Sequence, residues 1–219
     1  MTVRGIDCSQ LQGAIPDVQW QAIAQDVRFV YLRCGVGNDP PDSRFREYAA
    51  GAHAAGLLVG AYHFVYPLVT ELAHPGRDPE TQARDHAAAQ GSWATDLPAA
   101  LDLEWPEVPD WALWGCSGDQ VTDWALRYLA AMQSITGRRP ILYSYPYFLQ
   151  QLGAGNRAKL VDYDLWLAAY GPHPTAPAPW PSYAVVQTSA GGYKLPNGCP
   201  CDEDAIADDG ALAALLASP

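Results

Sequence analysis

The chain has 219 residues, a length that suits one large domain or two small ones. Hydrophobic residues make up 49% of it and charged residues 17%, which excludes a disordered acidic chain and allows a sizeable core. The formal net charge of −11 disfavours nucleic acid and anionic membranes as partners, because both are bound through clustered Lys and Arg. No apolar run approaches the roughly 20 residues that span a bilayer.

Short apolar runs alternate with helical patterns along the whole chain. Strands are predicted at 4–8, 29–34, 57–64, 98–104, 140–145, 164–170, 183–188 and 201–206. Helices are predicted at 18–26, 43–56, 80–93, 120–136, 147–152 and 209–217, with Asp208 or Asp209 capping the last one. This alternation is typical of βαβ units, and eight strands indicate a closed barrel. The sequence therefore predicts an α/β fold, a TIM-like β/α barrel with fewer than eight long helices.

The end of this predicted barrel is irregular. The last three strands have almost no helix between them, so one of them is expected to run antiparallel. Residues 172–181 contain five prolines and are predicted to form an extended surface loop before the seventh strand. The composition never changes abruptly, so we expect one catalytic barrel domain over residues 1–219.

Two acids of the fourth predicted strand point to the same side. Because side chains alternate along a strand, Leu101 and Leu103 should face the helices. Asp102 and Glu104 should then face the barrel interior at the carboxyl end of the strand, with their Cα atoms about 6.6 Å apart. Burial and mutual repulsion should raise one pKa, leaving a protonated carboxyl that can protonate a departing oxygen, as glycoside cleavage requires. The alternative is a structural ion pair with Arg33.

Further acids are expected at the same mouth of the barrel. Alternation places Asp7 inward at the end of the first strand, unless it caps a loop. Asp202 and Asp204 share one face of the eighth strand, which closes beside the first, so one of them is expected to join Asp7. Three or four converging acids favour a reactive cleft, because folding alone gives no reason to gather them.

Aromatic residues occupy equivalent places on other strands. The chain contains 8 Trp and 12 Tyr, whose rings stack on sugar faces but also fill cores. Tyr62 ends the third strand, Tyr143 and Tyr145 the fifth, and Trp166 and Tyr170 the sixth. Together with the acids, these rings indicate a glycan-binding cleft, with core packing as the alternative for each ring.

The cysteines and histidines show no metal-binding pattern. The five Cys and five His lack the spacing of a zinc site, so we expect no metal and no cofactor. Cys8 and Cys34 fall on the helix-facing sides of neighbouring strands, which lie about 4.8 Å apart and within the range of a disulfide. We favour two small buried thiols.

Six segments resemble, in order along the chain, those of the glycoside hydrolase family 25 lysozymes. They are Gly-Ile-Asp-Cys-Ser at 5–9 with Gln-Gly at 12–13, Gly-Ala-Tyr-His-Phe at 60–64, Leu-Pro at 97–98 with Leu-Asp-Leu-Glu at 101–104, Gly-Arg-Arg-Pro-Ile-Leu-Tyr-Ser at 137–144, Leu-Trp-Leu-Ala at 165–168 with Tyr-Gly at 170–171, and Val-Gln-Thr-Ser at 186–189. The closing motif at 201–206 matches more loosely.

The resemblance implies an N-acetylmuramidase that cuts the β-1,4 bond between N-acetylmuramic acid and N-acetylglucosamine in peptidoglycan. Glu104 would be the general acid/base. Asp102 would stabilise the substrate's acetamido group or the charged intermediate, and Asp7 would complete the catalytic set. The substrate-binding residues would be Asp202, Tyr62, Tyr143, Trp166, Tyr170 and Gln187.

Several alternatives stay open on the sequence. The acetamido group could act as internal nucleophile, or Asp7 or Asp202 could serve as base in an inverting reaction. A non-catalytic barrel that binds cell-wall glycan, or an amino-sugar hydrolase acting on chitin, would share the same residues. We expect a monomer that acts on the bacterial cell wall. Because no charged start and apolar segment follow Met1, we expect release of the phage-lysin type or a leader already removed.

Overall fold

A computed structural model describes residues 1–67, 78–104 and 116–218. Eight strands form one closed barrel in chain order. The strands are β1 Val3–Cys8, β2 Phe29–Val36, β3 Leu58–Phe64, β4 Ala100–Asp102, β5 Ile141–Ser144, β6 Leu165–Ala168, β7 Val185–Lys194 and β8 Pro200–Ile206. The described ranges also contain a 3-10 turn, Gln10–Gln12, and seven α-helices. These are α1 Asp17–Ile23, α2 Phe45–Ala54, α3 Pro79–Gln90, α4 Gly118–Thr136, α5 Pro146–Gln151, α6 Ala154–Leu160 and α7 Asp209–Leu216.

The direction of the strands confirms an irregular β/α barrel. Strands β1 to β7 pair parallel with their neighbours, whereas β8 runs antiparallel to both β7 and β1. Only five residues, 195–199, join β7 to β8, and so short a connection allows a hairpin but no parallel crossover. The hairpin also explains why β7 continues to Lys194, six residues beyond its predicted end.

Aromatic rings fill the interior of the barrel. Trp166 is 1% exposed and stacks on Tyr31, with ring centroids 4.5 Å apart, and its edge meets Tyr143 at 4.9 Å. Glycine makes room for such rings, since a Cβ on Gly5 would lie 2.3 Å from the ring of Phe29. The interior is therefore a packed core below the mouth, as in other barrels of this size.

The outer layer lies between the strands and the helices. Leu101 and Leu103 are fully buried there, in one cluster with Val121 and Trp124 of α4. Ala100 belongs instead to the interior cluster. The alternation predicted for the fourth strand is thus confirmed, although the ladder itself ends at Asp102.

Two details of the predicted elements differ in outcome. Asp208 caps α7, because its side chain accepts a hydrogen bond from the Ala211 backbone N–H at 2.9 Å. Helix α6 was not predicted. Only Asn156 and Leu160 of its seven residues are buried, so the segment lacks the apolar periodicity that marks a helix.

All five cysteines are free thiols, and Cys8 and Cys34 are buried in the same outer cluster, as expected. No helix in the described ranges is long and apolar enough to cross a membrane.

Candidate active site

Five carboxyl groups meet at one mouth of the barrel. Asp7 is the penultimate residue of β1, Asp102 ends β4, and Glu104 follows two residues later. Because β8 is antiparallel, its amino end reaches the same mouth, which brings Asp202 opposite Asp7 in the β1–β8 ladder. Asp204 lies two residues further along β8 and therefore deeper in the barrel. The predicted convergence of acids is what the fold produces, and both acids of β8 take part.

Gln187 of β7 links these acids to two tyrosines. Its side-chain Nε2 donates to Asp7 Oδ2 at 2.8 Å and to Asp202 Oδ2 at 3.1 Å. Its Oε1 accepts from the hydroxyls of Tyr143 at 3.1 Å and Tyr170 at 2.8 Å. Both amide hydrogens and both lone pairs are therefore used, and the orientation of the amide is fixed.

The remaining aromatic residues divide into floor and wall. Trp166 is buried beneath the mouth and donates its indole N–H to Asp204 Oδ1 at 2.8 Å. Tyr62 is half-buried and meets the edge of Trp166, with centroids 6.1 Å apart. Tyr143 is 8% exposed, whereas Tyr170 is 59% exposed. Among the predicted sugar-binding rings, Tyr170 is thus the most open to solvent.

A cleft of about 850 Å³ opens beside Glu104. It is lined by Glu104, Tyr143, Tyr145, Tyr147, Tyr170 and His173. The volume lies in the range of small-ligand sites, and its aromatic lining suits sugar rings. Tyr147 and His173 were not predicted to line the cleft. Tyr147 is 60% exposed at the start of α5, directly after a barrel strand, and that position was the available signal.

Burial and charge together perturb Glu104. Burial is the larger cause and the charge of Asp202 the second, and they raise the pKa of Glu104 from its ordinary 4.5 to about 7. Glu104 is nevertheless half-exposed, so a substrate can reach it. A carboxyl that is protonated near neutral pH and open to the cleft has the properties of a general acid.

The neighbouring carboxyls are perturbed in the same direction. Burial, followed by the charges of Glu104 and Asp7, raises the pKa of Asp102 well above its usual range. Burial and the charge of Asp202 raise the pKa of Asp7, and the hydrogen bond from Gln187 partly offsets this. One oxygen of Asp102, Oδ1, is buried and has no hydrogen-bond partner among residues 1–67, 78–104 and 116–218, which further disfavours the ionised form of Asp102. The acids therefore share protons and titrate as a group.

Arg33 does not neutralise this group by an ion pair. Its Nε bonds both oxygens of Asp42, at 3.1 and 3.3 Å, and Asp42 is 6% exposed. The structural ion pair considered for Asp102 and Glu104 is thus replaced by a pair with Asp42. In the described ranges, no set of three or more His, Cys, Asp or Glu side chains is arranged to hold a metal ion.

The fold and the site define a class of protein. A β/α barrel whose mouth gathers inward carboxyls, one with a raised pKa, beside an aromatic cleft is the arrangement of an enzyme that hydrolyses glycosidic bonds.

Comparison with known proteins identifies the family. The model of the family described as Glycosyl hydrolases family 25 matches residues 6–194. The N,O-diacetylmuramidase of Chalaropsis sp. is 31% identical over 198 residues, 86% of this chain and 88% of that protein. Lysozyme M1 of Streptomyces globisporus is 29% identical, covering 98% of this chain and 70% of the relative. The structure of a family GH25 lysozyme from Aspergillus fumigatus covers the whole of both chains, with a TM-score of 0.81 and 28% identity.

The chain therefore belongs to glycosyl hydrolase family 25 and is a glycoside hydrolase. The resemblance stated from the six sequence segments is confirmed.

Proposed function

We propose that this enzyme, a peptidoglycan hydrolase of the lysozyme type, cleaves the β-1,4 bond between N-acetylmuramic acid and N-acetylglucosamine. The observation that carries the proposal is the Glu104 carboxyl, which faces the cleft beside Asp102 with a pKa raised to about 7. Glu104 acts as general acid on the departing sugar oxygen and then as general base on water. The names of the relatives, a lysozyme and a diacetylmuramidase, support peptidoglycan as the substrate and the cell wall as the place of action.

Asp102 stabilises the acetamido group of the substrate or the charge that develops during cleavage. Its carboxyl is buried next to Glu104. Arg33 pairs with Asp42 and therefore does not hold the Asp102 carboxyl in an ion pair. Asp7 and Asp202 complete the site, and Tyr62, Tyr143, Trp166, Tyr170 and Gln187 remain the predicted surroundings of the sugar. Two routes fit this assignment, namely an acetamido-assisted reaction that retains the anomeric configuration and a base-assisted one that inverts it. NMR of the first-formed product anomer distinguishes the two routes.

Substitution Glu104→Gln tests the proposal, because the amide keeps the size of the side chain but cannot transfer the proton. We expect clearing of bacterial walls and release of reducing ends to fall by about 10² to 10⁴. Glu203→Gln is the matched control. Glu203 also lies at the mouth end of β8 but faces outward, bonding Arg4 at 3.2 Å and Ser189 at 3.0 Å.

The outcomes separate the alternatives. A fully active Glu104→Gln enzyme contradicts the assignment of the acid. Binding of wall fragments by the unaltered protein with no new reducing ends supports a non-catalytic barrel instead. New reducing ends from chitin oligomers, with none from peptidoglycan, would indicate that chitin is the substrate.

A further inference from the structure

Asp204 is a buried acid for which the reaction proposed above has no role. It is 2% exposed, directly opposite Gln187 on β7 and opposite Gly5 on β1. One oxygen, Oδ1, accepts the indole N–H of Trp166 at 2.8 Å. The other oxygen, Oδ2, is buried and receives no hydrogen bond from any donor in the described part of the chain. An ionised carboxylate in this position would have one of its two oxygens buried without a hydrogen bond, which costs free energy.

The carboxyls of Asp204 and Asp7 lie within hydrogen-bonding reach of each other, because both side chains face the barrel interior from paired strands, Asp204 opposite Gly5 and Asp7 opposite Asp202. Two ionised carboxylates have no hydrogen to share and repel each other, so a contact of this kind requires one proton between them. The orphaned oxygen of Asp204 is thus explained if Asp204 carries the proton and donates it to Asp7. Both sides of the contact are then satisfied.

The surroundings decide which acid is protonated. Asp7 lies nearer the mouth and accepts the N–H of Gln187 at 2.8 Å, and this amide is fixed because its oxygen accepts from Tyr143 and Tyr170. A fixed donor stabilises the ionised form of Asp7. Burial raises the pKa of both acids, that of Asp7 to about 8 and that of Asp204 well above its usual range; the contact between the two carboxyls opposes this rise at Asp7 and adds to it at Asp204. One proton can stabilise only one of the two carboxylates. Asp204 therefore carries the proton and donates it in a hydrogen bond, and Asp7 accepts that bond.

We propose that Asp204 is a positioning residue that keeps its proton when Asp7 ionises and holds the Asp7 carboxylate in place through a hydrogen bond. Asp7 then accepts hydrogen bonds from both Gln187 and Asp204. These two bonds fix the orientation of its carboxylate at the cleft. The role in the reaction rests on the proposed function, whereas the protonation of Asp204 does not.

The groups facing Asp204 come from every element around it. They are Asp7 on β1, Tyr31 on β2, Tyr170 after β6 and Asp202 on its own strand. All of these are acids or phenols, so none of them stabilises a negative charge on Asp204. Among the described residues, an ionised Asp204 would accept one side-chain hydrogen bond, the one from Trp166.

Substitution of Asp204 by two residues of similar size tests the role in the reaction. Asp204→Asn keeps an N–H donor toward Asp7, whereas Asp204→Leu removes it. We expect Asp204→Asn to keep most of the kcat on bacterial walls and Asp204→Leu to lose about tenfold or more, mainly in kcat, because a hydrogen bond to a charged group is lost. Asp204→Asn falling as low as Asp204→Leu, or Asp204→Leu matching the unaltered enzyme, overturns the proposal.

A measurement on the unaltered protein tests the proton itself. In a sample labelled at the aspartate carboxyl carbons, the NMR signal that disappears in Asp204→Asn is assigned to Asp204. We expect this signal to remain that of a protonated acid through pH 7. A titration near the ordinary value of about 4 overturns the proposal. A protein that clears no walls would refute the proposed function and leave this measurement intact, so the two failures are distinguishable.

Discussion

The pH dependence of cleavage is the most direct consequence of the carboxyl cluster. Glu104 must be protonated to act as general acid, so kcat/KM of the free enzyme should fall as pH rises through its pKa. Burial and the charge of Asp202 raise that pKa to about 7. The alkaline limb of the profile should therefore have its midpoint near pH 7.

The magnitude follows from the fraction of protonated Glu104. At pH 6, a pKa of about 7 leaves about 90% of the carboxyl protonated, whereas the ordinary pKa of 4.5 would leave about 3%. The structure thus makes the acid form about thirtyfold more abundant at that pH. Beyond the midpoint kcat/KM should fall about tenfold per pH unit, reaching about one hundredth of its plateau at pH 9.

Substitution of Asp202 separates the two causes. Asp202→Asn removes the charge that disfavours ionised Glu104, so the alkaline limb should move to lower pH even if the plateau also changes. Glu203→Gln, which removes a charge from the outer face of the same strand, should leave the limb in place. Initial rates of reducing-end release on wall preparations between pH 4 and 9 give both profiles. A wild-type limb near pH 4.5, or a limb in Asp202→Asn unchanged from wild type, would refute the reasoning.

Two further predictions concern stability. Gly51→Ala in α2 should destabilise the fold by about 1 kcal/mol in urea unfolding, because a Cβ there would lie 2.3 Å from the buried ring of Trp20 and this crowding outweighs the helix propensity gained; a stabilised variant would contradict the packing. His63 is 2% exposed, and burial lowers its pKa to about 4. The contribution of neutral His63 to the free energy of unfolding is therefore complete above about pH 6.5 and is lost as the pH falls toward 4. His63→Phe should shrink the difference in unfolding free energy between pH 7 and pH 4 by up to roughly 3 kcal/mol, and an equal difference in both proteins would count against it.

The local pattern of the sequence was enough to predict the barrel and the inward direction of its main acids. Alternation in Leu101–Glu104 places two leucines against α4 and two acids toward the mouth, and the structure agrees. This works because a strand has a period of two, so burial of one face fixes the other. Strand order also followed from the chain, since each parallel strand pairs with the next.

Contacts between distant segments could not be read in this way. Gln187 and Asp7 are 180 residues apart and meet only because β8 closes the barrel between β7 and β1. The cleft walls at Tyr147 and His173 depend on loops whose course has no periodic signal. The alternation pattern predicts on which side of a strand a residue lies, but it does not predict which distant residue lies opposite it.

The sequence by itself determined which acids point inward, because that depends on neighbours one and two residues away. Only the tertiary structure decided how those acids share their protons. The pKa of Glu104 depends on burial and on Asp202, a residue 98 positions later, and the contact between Asp7 and Asp204 depends on the antiparallel closure of the barrel. Desolvation and charge act through space, so the chemistry of the carboxyl cluster is set by the fold that surrounds it.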